Sequence, residues 1–410
     1  MLKLFQINST LNVGSTGHIA EQIADLATSE GWNVWIAHGP RFVNDSAHQT
    51  YQICSLFEEK MHGLKSLLFD SHGLGCETAT KKLVDKIQSV NPDIIHLHNV
   101  HGYYLNYKIL FEYLKMTDIP IVWTLHDCWS FTGHCAHFEN MKCEQWKLGC
   151  VQCHWLKNYP RCIGFARTKR NFNLKKSLFT SLSNLTLVPV STWQKNLLKE
   201  SFFANSRNIN IYPICNGVDI KIFSPLKDGK IILQNKYGIC GEYIVLGVAN
   251  RWTSQKGLDD IYKLRKILPS EYLIVLIGMT KKQITELPEG IVGIIRTESK
   301  FELAIFYSAA DVYINPTYSD TFPTVNLESL ACGTPVITYR TGGSVESIDE
   351  NTGLVVEQGN LEELNNAIVE VCRKGKNFFL GNCRKRAEQH FDKNITFRKY
   401  INLYNRLLNK

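Results

Sequence analysis

The stretch that decides how this chain folds is NPTYSDTFPTVNLESLACGTPVI, residues Asn315–Ile337. It begins at the end of an apolar run, DVYINPT (from Asp311), crosses a polar loop, enters the helical pattern VNLESLACG, and leaves on a second apolar run, PVITYRT (from Pro335). Apolar run, amphipathic helix, apolar run is how a βαβ unit reads in sequence. Asp320 and Glu328 are separated here by seven residues. Pro323 suits the first helical position because its missing amide hydrogen would have no partner there. The free donors at this helix start are then the amides of Thr324 and Val325, aimed toward an anion. Glu328 follows one helical turn beyond Thr324. A carboxylate near an anion is tolerated when it takes neutral hydroxyls, so Glu328 suits a ribose diol and Asp320 the hydroxyls of a second sugar. The alternative is that both acids only favour the positive end of the helix.

The alternation extends in both directions. Upstream within the same half lie YIVLGVANR (from Tyr243), YLIVLIG (from Tyr272) and IVGIIRT (from Ile291), and downstream TGLVVE (from Thr352), with helical patterns between them. The first half repeats the plan with KLFQIN (from Lys3), NVWIAHG (from Asn33), DIIHLHN (from Asp93), IPIVWTLHD (from Ile119) and LTLVPVS (from Leu185). Short apolar strands separated by helices predict parallel sheets covered on both faces. The expected architecture is therefore α/β: two Rossmann-like doubly wound domains facing a cleft, with ligands at the C-terminal ends of the strands. The domains are expected at 1–205 and 206–388, joined where the chain turns polar near Phe203–Asn210. The tail, 389–410, has helical spacing at Phe397, Tyr400, Ile401, Tyr404, Leu407 and Leu408.

The net charge of +8 over 410 residues suits an anionic small ligand or a membrane surface and does not demand nucleic acid. No apolar run reaches the length of a membrane-spanning helix. MLKLFQINST lacks the charged start, long apolar region and cleavage site of a signal peptide, so a cytosolic protein is expected. Thirteen cysteines in a reducing compartment are expected to be thiols or metal ligands rather than disulfides.

Three further segments carry candidate chemistry. In NVGSTGHIA, Gly14 and Gly17 let backbone amides approach an anionic group, although a plain tight turn reads the same way. It is not a GxGxxG fingerprint, and the second strand ends at His38 with no acid to hold a ribose, which disfavours a dinucleotide oxidoreductase. In GVANRWTSQKGLDDI, Arg251 and Lys256 follow a strand and suit a diphosphate whose charge grows as its bond to a sugar breaks; the alternative is two solvated surface charges. His126 ends a strand in IVWTLHD with Asp127 after it, and His96, His98 and Asn99 end DIIHLHN, either as acceptor contacts or as buried strand residues.

Taken together these segments resemble the retaining GT-B glycosyltransferases of group 1, family 4. The resemblance rests on the Asp320-x7-Glu328 pattern followed by LACGTPVI, the Gly14–Gly17 loop, His126, Asn216-Gly217-Val218-Asp219, Arg251 with Lys256, and Gly342-Gly343 with Glu346. It covers nearly the whole chain and is nearest to bacterial colanic acid, exopolysaccharide and O-antigen enzymes, which carry a segment like HDCWSFTGHC. It implies a hexosyltransferase whose second domain holds a nucleotide-diphosphate sugar and whose first holds the acceptor, often a polyprenyl-diphosphate-linked glycan. It implies catalytic roles for His126, Asp320, Arg251 and Lys256. Donor contacts are implied at Glu328, Thr324, Val325, Phe322 and Gly17, and acceptor contacts at Gly14, His98, Asn99 and Asp127. The tail helix is implied to cross back onto the first domain. Relatives often have Glu at position 320 and a second glycine after Gly278, where this chain has Asp and MTKKQ; the nucleotide base is therefore left open. No Asp-x-Asp motif is present, so no cofactor is expected for catalysis. The rival readings are a nucleotide-sugar-binding subunit without transfer activity, and a nucleotide-sugar epimerase on the same fold.

Two features remain. Cys135, Cys143, Cys150 and Cys153 are spaced C-x7-C-x6-C-x2-C, which suits a tetrahedral structural zinc and also suits free thiols or a redox pair; His134, His137 and His154 are substitute ligands. The basic segment FARTKRNFNLKKSLFTSL could set Phe165, Phe172, Leu178, Phe179 and Leu182 on one face, as in a helix lying peripherally on the inner face of a membrane. Packing of that face on its own domain is an equal alternative.

Overall fold

The computed structural model describes residues 1–206 and 208–409. Arg207, at the expected join, and Lys410, at the end of the expected tail, lie outside the described residues. The chain forms two compact units, Met1–Cys215 with Phe397–Lys410, and Asn216–Thr396.

The first unit is built on a parallel sheet of β1 (Lys3–Asn8), β2 (Asn33–His38), β3 (Gln49–Gln52), β4 (Ile94–Leu97), β5 (Ile121–Leu125), β6 (Leu185–Pro189) and β7 (Asn210–Ile211), in the order 3-2-1-4-5-6-7. Successive side chains alternate between two buried faces, as the pleat requires. Phe5, Ile95, Trp123 and Leu187 enter one core, and Leu4, Ile94, Val122 and Val188 the other. The second core is closed by the helix Gly14–Ser29 and by Phe397, Tyr400, Ile401 and Tyr404 of the last helix.

The second unit repeats the winding with β8 (Tyr243–Val248), β9 (Tyr272–Ile277), β10 (Ile291–Ile294), β11 (Val312–Asn315), β12 (Val336–Tyr339) and β13 (Gly353–Val356), in the order 10-9-8-11-12-13. The units are those of a GT-B fold. Their boundaries differ from 205 and 388 for identifiable reasons. β7 pairs with β6 through Thr186 and Asn210, which carries the first unit to Cys215. The second unit keeps the chain through Thr396 because Asp392–Thr396 runs beside Asn216–Val218. There the Lys393 amide donates to the Val218 carbonyl at 2.9 Å, and a Cβ on Gly217 would stand 2.3 Å from Thr396 Oγ1.

The expected amphipathic face at 165–182 is largely internal. Phe172, Phe179 and Leu182 are buried in the first unit's core, because the helix Thr168–Phe179 must cover the sheet; Phe165 alone of that set is well exposed. Among the described residues, no helix is long and apolar enough to cross a membrane.

Candidate active site

In a doubly wound sheet the loops leaving the two central strands diverge to opposite faces and open a crevice between them. In the second unit those strands are β8 and β11. The loop after β8 carries Arg251, exposed, and Lys256, half-buried. The loop after β11 carries Asp320. Lys256 Nζ and Asp320 Oδ2 are 2.9 Å apart, so one ion pair bridges the switch point.

Glycine lets these loops close on each other. Gly257 has φ +81° and a Cβ there would lie 2.2 Å from the Pro316 carbonyl oxygen. Gly342 has φ +48°, and its Cβ would stand 1.9 Å from the Asp320 carbonyl oxygen, to which the Gly343 amide donates at 3.2 Å. Both positions combine left-handed backbone with contact on a neighbouring carbonyl, which only glycine satisfies. Where relatives often have a second glycine after Gly278, Thr280 and Gln283 form a capping box, and Gln283 Nε2 donates to the Trp252 carbonyl at 3.1 Å. That brace sits next to Arg251 in the chain.

The helix after Asp320 spans Thr324–Ala331. Pro323 is its N-cap, with ψ 119°, one place earlier than expected: its backbone is extended, so Thr324 is the first helical residue. No side chain caps the helix, and Thr324 and Val325, both half-buried, present its first amides. Asn326 fixes this end by accepting from Asn315 Nδ2 at 2.8 Å and donating to Ser347 Oγ at 2.9 Å. The Phe322 ring is buried against Phe391, and its carbonyl accepts from Asn216 Nδ2 at 2.8 Å, so the side chain packs inward and its backbone is what faces the loop.

Glu328 is half-buried and accepts from the Tyr307 hydroxyl at 3.0 Å. Burial pushes its carboxyl up to about 7, opposed by the Tyr307 bond and by the charge of Lys300. Lys300 is itself held below its ordinary value by burial, with Glu328 and Asp219 pulling it back up and Lys393 pushing it down. Asp219 is in turn paired with Lys393 at 2.6 Å. Neither Lys300 nor Tyr307 stands out in the sequence; both come from the helix Lys300–Ala309, which packs beside the Glu328 helix.

In the first unit the central strands are β1 and β4, with β5 alongside. Gly14, at φ +67°, and Gly17 belong to the loop and helix after β1. A Cβ on Gly17 would meet Thr10 Oγ1 at 2.7 Å, so this glycine allows the helix to nest under its own loop. Asn99 is half-buried, its carbonyl accepting from the Tyr104 hydroxyl at 2.6 Å. His98 is buried and does not reach solvent. It lies instead in a hydrogen-bonded line: Gln6 Nε2 donates to the Ala20 carbonyl at 2.9 Å, which turns Gln6 Oε1 toward His98 Nε2 at 2.9 Å, and His98 Nδ1 meets His126 Nε2 at 3.0 Å. Each partner fixes the next proton: His98 carries its hydrogen on Nε2, so His126 donates from Nε2. Burial pushes His126 down to about 4 against the opposing charge of Asp127, so at neutral pH it is an uncharged imidazole.

His96 faces the other way. It bonds Thr124 Oγ1 at 2.8 Å and the Tyr404 hydroxyl at 2.6 Å, and Thr124 meets the Tyr400 hydroxyl at 2.9 Å, so it anchors the last helix. Asp127 accepts from His101 Nε2 at 2.6 Å and from the Trp129 amide at 2.9 Å. These bonds and the charge of His101 hold it down at about 2 against the upward pull of burial. His101 and Gln6 were not among the expected residues. Gln6 had a signal, being a polar residue inside the apolar run KLFQIN.

The four cysteines of the following loop are thiols; burial pushes the Cys135 thiol up, and Cys153, Cys150 and Cys143 add to the rise. The Gly133 amide donates to Cys150 Sγ at 3.2 Å and the Trp155 amide to Cys153 Sγ at 3.4 Å. Among the described residues, the set of three potential ligand atoms within 4.8 Å of one another is Glu21, Asp25 and His48; the cysteine sulfurs are not drawn together into such a set.

Residues 230–390 match the family described as glycosyl transferases group 1. The chain is 22% identical over 419 residues, covering 99% of itself and 100% of the relative, to WcaC of Escherichia coli K12, a protein named as a colanic acid biosynthesis glycosyl transferase. Among solved structures it resembles the sucrose-phosphate synthase of Thermosynechococcus elongatus (TM-score 0.73, 18% identity, 100% of each chain). It also resembles Anabaena HepE in complex with UDP-glucose (TM-score 0.67, 16% identity, 98% of this chain and 99% of that one). The matching domain and the full-length homology support a sugar-transferring enzyme, and the solved structures show its fold. The chain is a transferase enzyme whose two units have the GT-B fold, and the part that matches the group 1 glycosyl transferases, residues 230–390, lies in the second unit.

Proposed function

We propose that the protein transfers a sugar, with retention of configuration, from a nucleotide-diphosphate sugar to a lipid-linked glycan during bacterial surface polysaccharide synthesis. The observation that carries the donor assignment is the glycine-closed switch point where Lys256 and Asp320 pair, ahead of the helix that carries Glu328. Arg251 and Lys256 would balance the leaving diphosphate, the Thr324 and Val325 amides would add donors to it, Glu328 would take the ribose hydroxyls, and Asp320 those of the sugar. The solved relative with UDP-glucose and the colanic acid name of WcaC support donor class and pathway.

In the first unit, neutral His126 would hydrogen-bond the sugar, with Asp127, Asn99 and the Gly14 loop toward the acceptor. In the transfer the C1–O bond to the diphosphate breaks as an acceptor oxygen bonds C1 on the same face, and the acceptor's proton passes to the departing phosphate oxygen. The enzyme contributes position and charge; Arg251 and Lys256 supply the cations, and transfer is expected to survive chelation of divalent ions.

Calorimetry with uridine, guanosine and adenosine diphosphate sugars, followed by transfer assays, tests this reading. Glu328→Ala is expected to abolish donor binding, and intact transfer in that variant overturns the site. Binding without transfer to any acceptor favours a non-catalytic subunit. A structural zinc on Cys135, Cys143, Cys150 and Cys153 is a separate proposal, supported by the donor set and the two amide-to-sulfur bonds; it requires the sulfurs to draw together. About one zinc per purified chain supports it, and a content near zero removes it.

A further inference from the structure

The helix Leu56–Phe69 in the first unit is inverted relative to an ordinary surface helix. Its buried residues are His62 and Ser66, with His62 Nε2 accepting from the Gly75 amide at 2.9 Å. Its apolar residues face outward: Phe57 is 72% exposed, Met61 49%, Leu64 48% and Leu68 37%. Spacings of four, three and four residues place these on one stripe.

A second segment extends the stripe. The Ile163 and Phe165 amides donate to the Leu67 and Leu68 carbonyls at 2.9 and 2.8 Å. Gly164 between them permits this contact, since a Cβ there would stand 2.1 Å from the Leu68 oxygen. The Phe165 ring, in a residue 71% exposed, stacks on Phe69 at 6.1 Å, and the Arg167 guanidinium lies over Phe69 at 5.5 Å. The surface is thus built and continuous, in a chain where monomers ordinarily keep such patches small.

Its charge is mainly positive. From Gln145 to Lys199 the sequence contains no acidic residue, and Arg161, Lys169 and Arg170 are exposed there, as are Lys60 and Lys65 on the helix, Lys65 lying 3.7 Å from the exposed Glu77. The helix's own Glu58 and Glu59 are half-buried, and Glu59 is paired with Arg41.

We propose that this surface docks on an anionic lipid bilayer, the Phe57–Leu68 stripe and Phe165 entering the interface and the surrounding cations meeting lipid phosphates. The same segment reaches the acceptor end of the sheet. The Tyr159 hydroxyl lies 3.2 Å from His72 and 3.4 Å from His101, which holds Asp127. A docked chain would therefore keep its acceptor site near the membrane surface. That use rests on the proposed lipid-linked acceptor; the docking itself does not.

Flotation of the full chain with vesicles of phosphatidylcholine, alone or mixed with phosphatidylglycerol, tests the docking without any sugar present. Binding is expected with the mixed vesicles and should weaken as salt is raised. The variant Phe57→Ser/Leu64→Ser/Phe165→Ser should bind at least about tenfold less, and Arg161→Glu/Lys169→Glu should lose the preference for phosphatidylglycerol. All these positions are exposed, and unchanged circular dichroism and unchanged transfer to a short water-soluble acceptor would show the fold intact. Absence of binding by the unaltered chain, or equal binding by the triple variant, overturns the proposal. So does a dimer in light scattering that the triple variant converts to monomer, which would assign the face to a second copy. Vesicle binding without any sugar transfer would sink the transferase reading and leave the docking standing.

Discussion

The two sheets are wound alike, 3-2-1-4-5 in one and 10-9-8-11-12 in the other, yet they finish their switch points with opposite chemistry. The second unit presents charge: Arg251, Lys256 and Asp320 on loops that glycine lets close, and Glu328 on the helix that follows. The first presents neutral hydrogen-bonding groups: His126 and His98, wired through Gln6 to a backbone carbonyl. Doubly wound topology supplies a crevice, but not what fills it. Cations and helix amides suit a diphosphate, whereas uncharged imidazole suits hydroxyls. The contrast is what a transferase needs if one unit stabilises the leaving group and the other orients sugar.

The contrast is most exposed at Lys256. Lys256→Ala removes the cationic half of the switch-point pair and leaves Asp320 uncompensated. A fall in kcat of about 10²–10³ is expected, the usual loss when a preorganised charge-stabilising group is removed. A loss below about tenfold would mean that the second unit's charges are not the catalytic ones. In the first unit the matching change is Gln6→Leu. It strands the buried His98 Nε2 hydrogen and frees the tautomer of His126, so it should cost about 1–3 kcal/mol of stability, read by denaturant unfolding. It should also lower transfer while leaving donor affinity in the second unit unchanged. Lowered donor affinity would break the division of labour.

Much of this was legible because it is local. Each of the eleven expected strand runs contains a strand, and the Asp320–Glu328 loop, the Arg251–Lys256 loop and His126 all lie at strand ends. What the sequence concealed has physical reasons. β3 is QTYQ, with Tyr51 its one hydrophobic residue, and β7 has two residues; edge pieces this short carry no hydrophobic pattern. Tyr307, His101 and Gln6 act on partners 21, 26 and 92 residues away, distances over which no spacing rule operates. The inverted helix at Leu56–Phe69 has a clear apolar stripe, but a stripe alone does not say which way it faces. The helix at Thr168–Phe179, read as a surface candidate, turned its aromatics inward.

The smallest effect separates the units by pH. Burial raises Glu328 from 4.5 to about 7, and His126 titrates near 4. Below the ordinary value Glu328 is protonated in folded and unfolded chains alike. Between there and 7 the folded chain keeps a proton that the unfolded chain has lost, so stability declines as pH rises through this window. Donor binding should run the other way, because ribose hydroxyls donate best to an ionised carboxylate, and affinity should climb as pH rises through 7. The two trends share one group, so Glu328→Gln should flatten both. His126 is already neutral across the same range, and His126→Asn should lower transfer without moving either inflection. Thermal melts and donor calorimetry between about pH 5 and about pH 8 read both quantities on the same samples. If His126→Asn shifts the inflection near 7, the neutral imidazole assigned to the first unit is wrong. If Glu328→Gln leaves that inflection in place, the titrating group lies outside the ribose site.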